Sequence, residues 1–269
     1  MLLALVTVLA AAPTWQVTKP EARVEALAQL QSLPLGDRLT QISERFVGTP
    51  YTFSPLGEGE GHDADPLLRF DAVDCLTFVE TAMAMALAPD EAALLPTLNS
   101  IRYEKGTVGW ATRNHITEAQ WVPNNVAAGV LKEVTPTLGK TVEVKKVLTD
   151  AVWALPEGKS LALTEAQQLK GTFSLNVIPS TQVLEAVKNA PSGLVAVVVR
   201  ADRPKSVTRV SHVGFVIQTA KGPVLRHASR SFKKVTDEPL ERYLKRNRDF
   251  GEWTIAGIAF FEVTTPPKP

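Results

Sequence analysis

Phe70-Asp71-Ala72-Val73-Asp74-Cys75-Leu76-Thr77-Phe78-Val79-Glu80 is the stretch that organises the rest of the chain. It holds the only cysteine, at the point where a polar, turn-prone segment gives way to helical periodicity. Asp74 has the side chain of an N-cap, and Leu76, Val79, Met83 and Leu87 recur at helical spacing, which predicts a helix over 74–88. Its apolar residues cover more than one face. Such a helix belongs in the core, with Met83 and Met85 as packing residues. A thiol in the first helical turn feels the partial positive charge of unpaired N–H groups, a field that favours thiolate.

Working outward towards the N-terminus, 20–33 and 36–47 read as amphipathic helices, separated by Pro34. Gly48-Thr49-Pro50-Tyr51 breaks the second. From 52 to 69 the chain reads as a solvated, flexible loop, with Gly57, Gly59 and Gly61 alternating with Glu58, Glu60 and His62. Glu58, Glu60 and Asp63 near His62 match no metal-ligand template.

On the other side, Pro89 stops the cysteine helix and Asp90 caps another to about Tyr103. The segment 106–129 mixes tryptophans with polar groups: Trp110, Arg113, Asn114, His115, Trp121, Asn124 and Asn125. That composition suits a cleft wall for a polar ligand, and equally an irregular connection anchored by tryptophans.

Strand character follows at 141–148, 160–163, 194–199, 211–217, 224–229 and 253–263, with helices at 181–189 and 239–248. The β-branched run 194–199 reads as a buried strand, and 211–229 as a hairpin turning near Lys221-Gly222-Pro223. Helices first and strands later predict an α+β fold, with helices packed on one side of an antiparallel sheet. One domain is expected over 13–263, with 104–160 as an insertion or cleft-wall region and 264–269 as a tail.

The 269 residues are 45% hydrophobic with formal net charge +1, which suits one globular domain and gives no basis for a nucleic-acid partner. Residues 2–12 are apolar, small towards their end and followed by Pro13, which reads as a secretory signal over 1–12, although no Lys or Arg follows Met1. Periplasmic or secreted location is the expectation. No other stretch approaches the ~20 apolar residues of a membrane span. A monomer is expected. In an exported protein a lone cysteine has no intrachain disulfide partner and is a candidate reactive thiol.

A thiolate attacking an acyl carbon needs a base to take its proton and return it to the leaving amine. His212, on a predicted strand, is the candidate. His227, on the adjacent strand, is placed to orient it. The backbone N–H of Cys75 and the hydroxyl of Tyr51 are candidates for holding the oxyanion. Together these features point to a Cys-His hydrolase or acyltransferase.

Asp74-Cys75 at a helix start, Ser211-His212-Val213-Gly214 on a strand and His227-Ala228-Ser229 on the next resemble the NlpC-type papain-like cell-wall cysteine peptidases and amidases. Gly48-Thr49-Pro50-Tyr51 resembles the segment ahead of their cysteine helix. The sequence Asp74-Cys75-Leu76-Thr77-Phe78-Val79-Glu80, with Arg113-Asn114-His115, Trp121 and Asn124-Asn125, is similar to the N-acetylmuramoyl-L-alanine amidase-like branch. The wider superfamily more often follows its cysteine with Ser-Gly. The resemblance covers roughly residues 35–263.

It implies a papain-like α+β fold, with Cys75 as nucleophile, His212 as base, His227 as orienting group and Tyr51 at the oxyanion. It also implies cleavage of the amide between N-acetylmuramic acid and L-alanine in peptidoglycan fragments, by water and without a cofactor. Arg113, Asn114, His115, Trp121, Asn124 and Asn125 are the candidate substrate-binding residues. Two alternatives stay open: an endopeptidase cutting between D-glutamate and the diamino acid, and a module that binds wall fragments without turnover. No His-rich set with the spacing of the zinc amidases is visible, so no metal is expected. Glu80, on a buried helix, needs a partner.

Overall fold

A computed structural model describes residues 12–248 and 253–266. The signal segment expected over 1–12 lies outside the described residues except for Ala12, and so do the last three residues of the tail. The helices are α1 (Pro20–Leu30), α2 (Leu35–Glu44), α3 (Cys75–Leu87), α4 (Leu94–Arg102), α5 (Val122–Ala127), α6 (Thr135–Leu138), α7 (Asp150–Trp153), α8 (Pro156–Ser160), α9 (Val183–Val187) and α10 (Leu240–Arg248). The strands are β1 (Leu131–Glu133), β2 (Val142–Leu148), β3 (Gly171–Pro179), β4 (Leu194–Arg200), β5 (Val210–Thr219), β6 (Gly222–Ser229), β7 (Lys234–Pro239) and β8 (Ile255–Val263).

The strands form one antiparallel sheet in the order β2-β3-β8-β4-β5-β6-β7, with β1 pairing β8. Strand β4 lies inside it and is buried along its whole length. Its alternating side chains serve two cores. Val195, Val197 and Val199 face α2, α3 and α4, while Leu194, Ala196 and Val198 face α9 and α10. The helices therefore cover both faces of the sheet, where the order of elements predicted one. The reason is visible in β4: its run from Leu194 to Val199 carries no polar residue and has no face to give to water.

Helix α3 packs on β5 and β6 and is buried from Thr77 to Ala86. Phe78 anchors it, edge-on to Phe46 and to Phe215, each at 5.5 Å between ring centres. Asp74 caps it with a full capping box. Its Oδ1 accepts from the Thr77 N–H at 2.8 Å, and the Asp74 N–H donates to Thr77 Oγ1 at 2.9 Å. Two orphan donors are thereby satisfied next to the thiol.

Several local expectations differ from the structure. The strand expected at 160–163 is the end of α8 and a turn, because Pro156 at the first helical position starts a helix that carries through to Ser160. Strands β3 and β7 were not expected. The first carries a readable alternation, Phe173, Leu175 and Val177. The second is a charged edge strand, the kind whose composition hides it. The segment 104–160 is no separate insertion, since β1 and β2 are strands of the main sheet.

The loop 52–69 is tied down rather than loosely solvated. Gly57 donates to the Pro66 carbonyl, Glu58 to the Asp63 carbonyl and Gly59 to the Asp65 carbonyl. Any Cβ on Gly57 would lie 2.4 Å from Asp63 Oδ1, so glycine is what permits this closure.

Candidate functional site

The capped start of α3 places half-buried Cys75 against β5. The backbone of Val213, the residue after His212, favours the anionic form of the Cys75 sulfur. As the first residue of the helix, Cys75 has no intrahelical acceptor for its own N–H.

The protonation of this thiol differs from the expectation of a helix-activated thiolate. Burial, and then the Asp74 carboxylate, push it up to about 12 against the backbone N–H groups that stabilise the anion. The helix-start field is real, but burial and the cap's own charge outweigh it. His212 moves the other way. Burial, then the cationic forms of His227, Arg200 and Arg246, hold its imidazolium well below the ordinary range. The resting pair is a neutral thiol and a neutral imidazole.

His212 Nε2 and His227 Nδ1 lie 2.6 Å apart with the rings nearly perpendicular, at 88°. That contact commits Nε2 of His212 and leaves Nδ1 outside it. Gly214 makes the arrangement possible, because a Cβ there would meet the Arg226 carbonyl oxygen at 2.8 Å and His227 Cβ at 3.0 Å. Tyr243 of α10 stacks on His212 at 5.9 Å and 27°.

Behind His227 the chain of contacts continues. His227 Nε2 lies 3.3 Å from Glu238 Oε2, both side chains being 1% exposed. Arg246 Nη2 donates to the same Oε2 at 2.8 Å, and its Nε donates to Oε1 at 3.2 Å. Burial works against the charge of Glu238, yet the contacts from His227 and Arg246 hold its carboxyl down at about 2. Neither Glu238 nor Arg246 was singled out in sequence. A buried acid in the run Lys234-Val235-Thr236-Asp237-Glu238 carries no signal until β7 is paired with β6.

Tyr51 returns to the site across the long loop. Tyr51 bridges to Val73 in parallel, and its N–H donates to the Lys233 carbonyl. Burial, then the charges of Cys75 and Asp74, raise its hydroxyl to about 12. Asp74 Oδ2 also accepts from the N–H of Ser54, whose φ of 47° lies in the left-handed region. One carboxylate thus caps the cysteine helix and pins the loop that carries Tyr51.

The wall expected at 113–125 is engaged internally. Arg113 donates to Glu58 Oε1 at 2.7 Å and Asp63 Oδ2 at 2.9 Å, which ties the loop to the helices. Asn114 and Asn125 are buried and both donate to the Ile101 carbonyl, and Asn124 donates to Asn114 Oδ1. His115 Nε2 lies 2.6 Å from the Trp110 carbonyl oxygen, and burial lowers its imidazolium to about 4.

Trp121 is buried and donates to Glu80 Oε1 at 2.9 Å, while Arg102 pairs with Glu80 Oε2 at 3.2 Å. Glu80 therefore has the partners its burial demands. Burial still lifts its carboxyl to about 7 despite Arg102. Side chains that composition suggested for ligand binding are spent on joining segments of the protein itself. A cavity of about 840 Å³ lined by Leu30, Glu44, Arg45 and Asp237 includes none of Cys75, His212 or His227.

Residues 41–254 match the AmiA-like family, described as N-acetylmuramoyl-L-alanine amidase-like. A Legionella pneumophila protein of the DUF1460 family is 26% identical, with TM-score 0.80 over 93% of this chain and 95% of its own. An N-acetylmuramoyl-L-alanine amidase from Bacteroides uniformis shares the fold at 24% identity, with TM-score 0.70 over 86% of this chain and 99% of its own. A putative xylanase from Bacteroides fragilis is 26% identical, with TM-score 0.66 over 82% of this chain and 99% of its own. No curated protein matches the chain.

Proposed function

This chain belongs to the N-acetylmuramoyl-L-alanine amidase-like family, and on that premise we propose that it is an exported cysteine amidase of the NlpC-type papain-like superfamily. It hydrolyses the amide between N-acetylmuramic acid and L-alanine in peptidoglycan fragments. The observation that carries the cysteine mechanism is a half-buried thiol at the capped start of α3, a helix packed on the strand whose His212 has one nitrogen committed to His227.

The Cys75 sulfur attacks the lactyl carbonyl carbon as its proton passes to His212 Nδ1. Because the resting thiol is neutral, charge separates only as the new bond forms, next to backbone donors that already point at the site. The oxyanion accepts from the Cys75 N–H and the Tyr51 hydroxyl. Collapse breaks the C–N bond, and His212 returns the proton to the departing amine of L-alanine. Water then attacks the thioester with His212 as base. The products are the muramic acid carboxylate and the free stem peptide, with Cys75 protonated again.

The xylanase description of one relative suits a different chemistry. Glycoside hydrolysis generally uses a pair of carboxyl groups flanking the scissile bond. At this site Asp74 is spent as a helix cap and Glu238 lies behind His227.

Digestion of defined muropeptides followed by mass spectrometry tests the proposal. Release of an intact stem peptide beginning at L-alanine is expected. Release of L-Ala-D-Glu would replace it with the endopeptidase reading. Binding that survives Cys75→Ala, without wild-type hydrolysis, would replace it with a binding module. Activity that resists a thiol alkylator but is lost with a chelator would overturn the cysteine mechanism.

A further inference from the structure

We propose that Glu238, clamped by Arg246, is a positioning residue that sets the tautomers of both histidines and so selects Nδ1 of His212 as the base. This rests on the cysteine-amidase reading and deepens it.

Glu238 is buried on β7, and two contacts from Arg246 hold its orientation. A carboxylate kept ionised only accepts hydrogen bonds. His227 Nε2 faces it at 3.3 Å, within ion-pair distance, and among the described residues it makes no hydrogen bond, so this carboxylate is the acceptor it is aimed at. The proton of a neutral His227 therefore sits on Nε2, towards Glu238. Its Nδ1 is then a bare acceptor. The 2.6 Å contact between His227 Nδ1 and His212 Nε2 requires one proton between them, and His212 supplies it. His212 Nδ1 is left with its lone pair.

The same line also serves the charged state. When His212 takes the thiol proton, its positive charge is next to His227, whose dipole is aligned by a fixed anion. The charged and titratable groups around this line are Arg246 and Tyr243 on α10, Arg200 on β4 and Cys75 on α3. Arg200 and Arg246 disfavour the imidazolium, and Glu238 is the buried anion paired with Arg246 behind His227.

Glu238→Gln is nearly isosteric, but its amide can donate as well as accept. If the amide donates to His227 Nε2, both tautomers reverse and His212 Nδ1 carries a proton. A wrong tautomer in an intact site lowers kcat by about 10²–10⁴-fold. The test has two arms. First, nitrogen-15 spectra of the wild-type imidazoles report tautomers without any need for turnover. Protonated Nε2 on both His212 and His227 is expected, and protonated Nδ1 on His227 would overturn the proposal whether or not a muropeptide is cut.

Second, the variants are assayed on a defined muropeptide. Glu238→Gln should lose kcat with KM held within about threefold, and Glu238→Asp should recover part of it. Wild-type kcat in a folded Glu238→Gln would reduce Glu238 to an ion-pair partner of Arg246 and overturn the proposal. Should wild type itself fail to cut muropeptides, the amidase reading fails, while the spectra still decide the tautomers.

Discussion

In the proposed mechanism Cys75 is a nucleophile held in reserve. Burial and the neighbouring Asp74 carboxylate together raise its thiol, whereas the helix terminus and the Val213 backbone lower it. Replacing Asp74 by Asn keeps a good N-cap and removes the charge. The expected result is faster alkylation of Cys75 by iodoacetamide at a fixed alkaline pH, because the thiol pKa falls. An unchanged or slower rate would show that the cap's charge does not govern the thiol. Gly214 is the second decisive residue. Gly214→Ala is expected to push His227 off its contact, cutting kcat and costing about 1–3 kcal/mol of stability by overpacking. Activity and urea unfolding of the same variant check both effects.

At the scale of elements, α3 is both part of the core and, in the proposed mechanism, the platform for the thiol. Phe78 fixes its height through two edge-on aromatic contacts. Phe78→Ala should cost about 3–5 kcal/mol in urea unfolding. The cap acts at the other end of the same helix. Asp74→Ala should cost about 1–2 kcal/mol and also release the Ser54 N–H, so the loop carrying Tyr51 loses its pin. Limited proteolysis within 52–69 should accelerate in that variant, and an unchanged cleavage rate would separate the cap from the loop. Much of this element was legible in sequence: the apolar periodicity, the stop at Pro89 and the thiol at the start are local. The second contact of Asp74, with the Ser54 N–H, was not, since only the folded loop brings that N–H to Asp74.

At the scale of the molecule, buried titratable groups make stability depend on pH. His212 is held well below its ordinary 6.5, and His115 at about 4. The unfolded chain binds protons that these folded imidazoles refuse. Their stabilising contribution is complete above 6.5 and is lost as pH falls through the folded values. Glu238, at about 2 instead of 4.5, contributes above 4.5 and loses that contribution towards pH 2. Glu80 opposes them, because at about 7 it holds a proton when folded and its contribution shrinks as pH rises from 4.5 to 7. Two histidines and Glu238 against one carboxyl predict a lower urea midpoint at about pH 4 than at about pH 7. An equal or higher midpoint at the acid end would give the balance to Glu80.

The sequence by itself determined what short-range physics controls: the helix that begins at Cys75, the apolar run 194–199 of β4, the hairpin that carries His212 and His227, and the family resemblance written in those motifs. Each rests on periodicity, caps or turns within a few residues. Only the tertiary structure decided the partners. It turned Arg113, Asn114, Trp121 and Asn125 inward to tie loop to helix, brought Tyr51 back beside Val73, and set Glu238 and Arg246 behind His227. Charge and burial at a site come from strands and helices distant in the chain, and so does the pKa of the thiol. The helix start, read locally, predicts thiolate, whereas the assembled site, with its desolvation and its Asp74 charge, favours the proton on the sulfur.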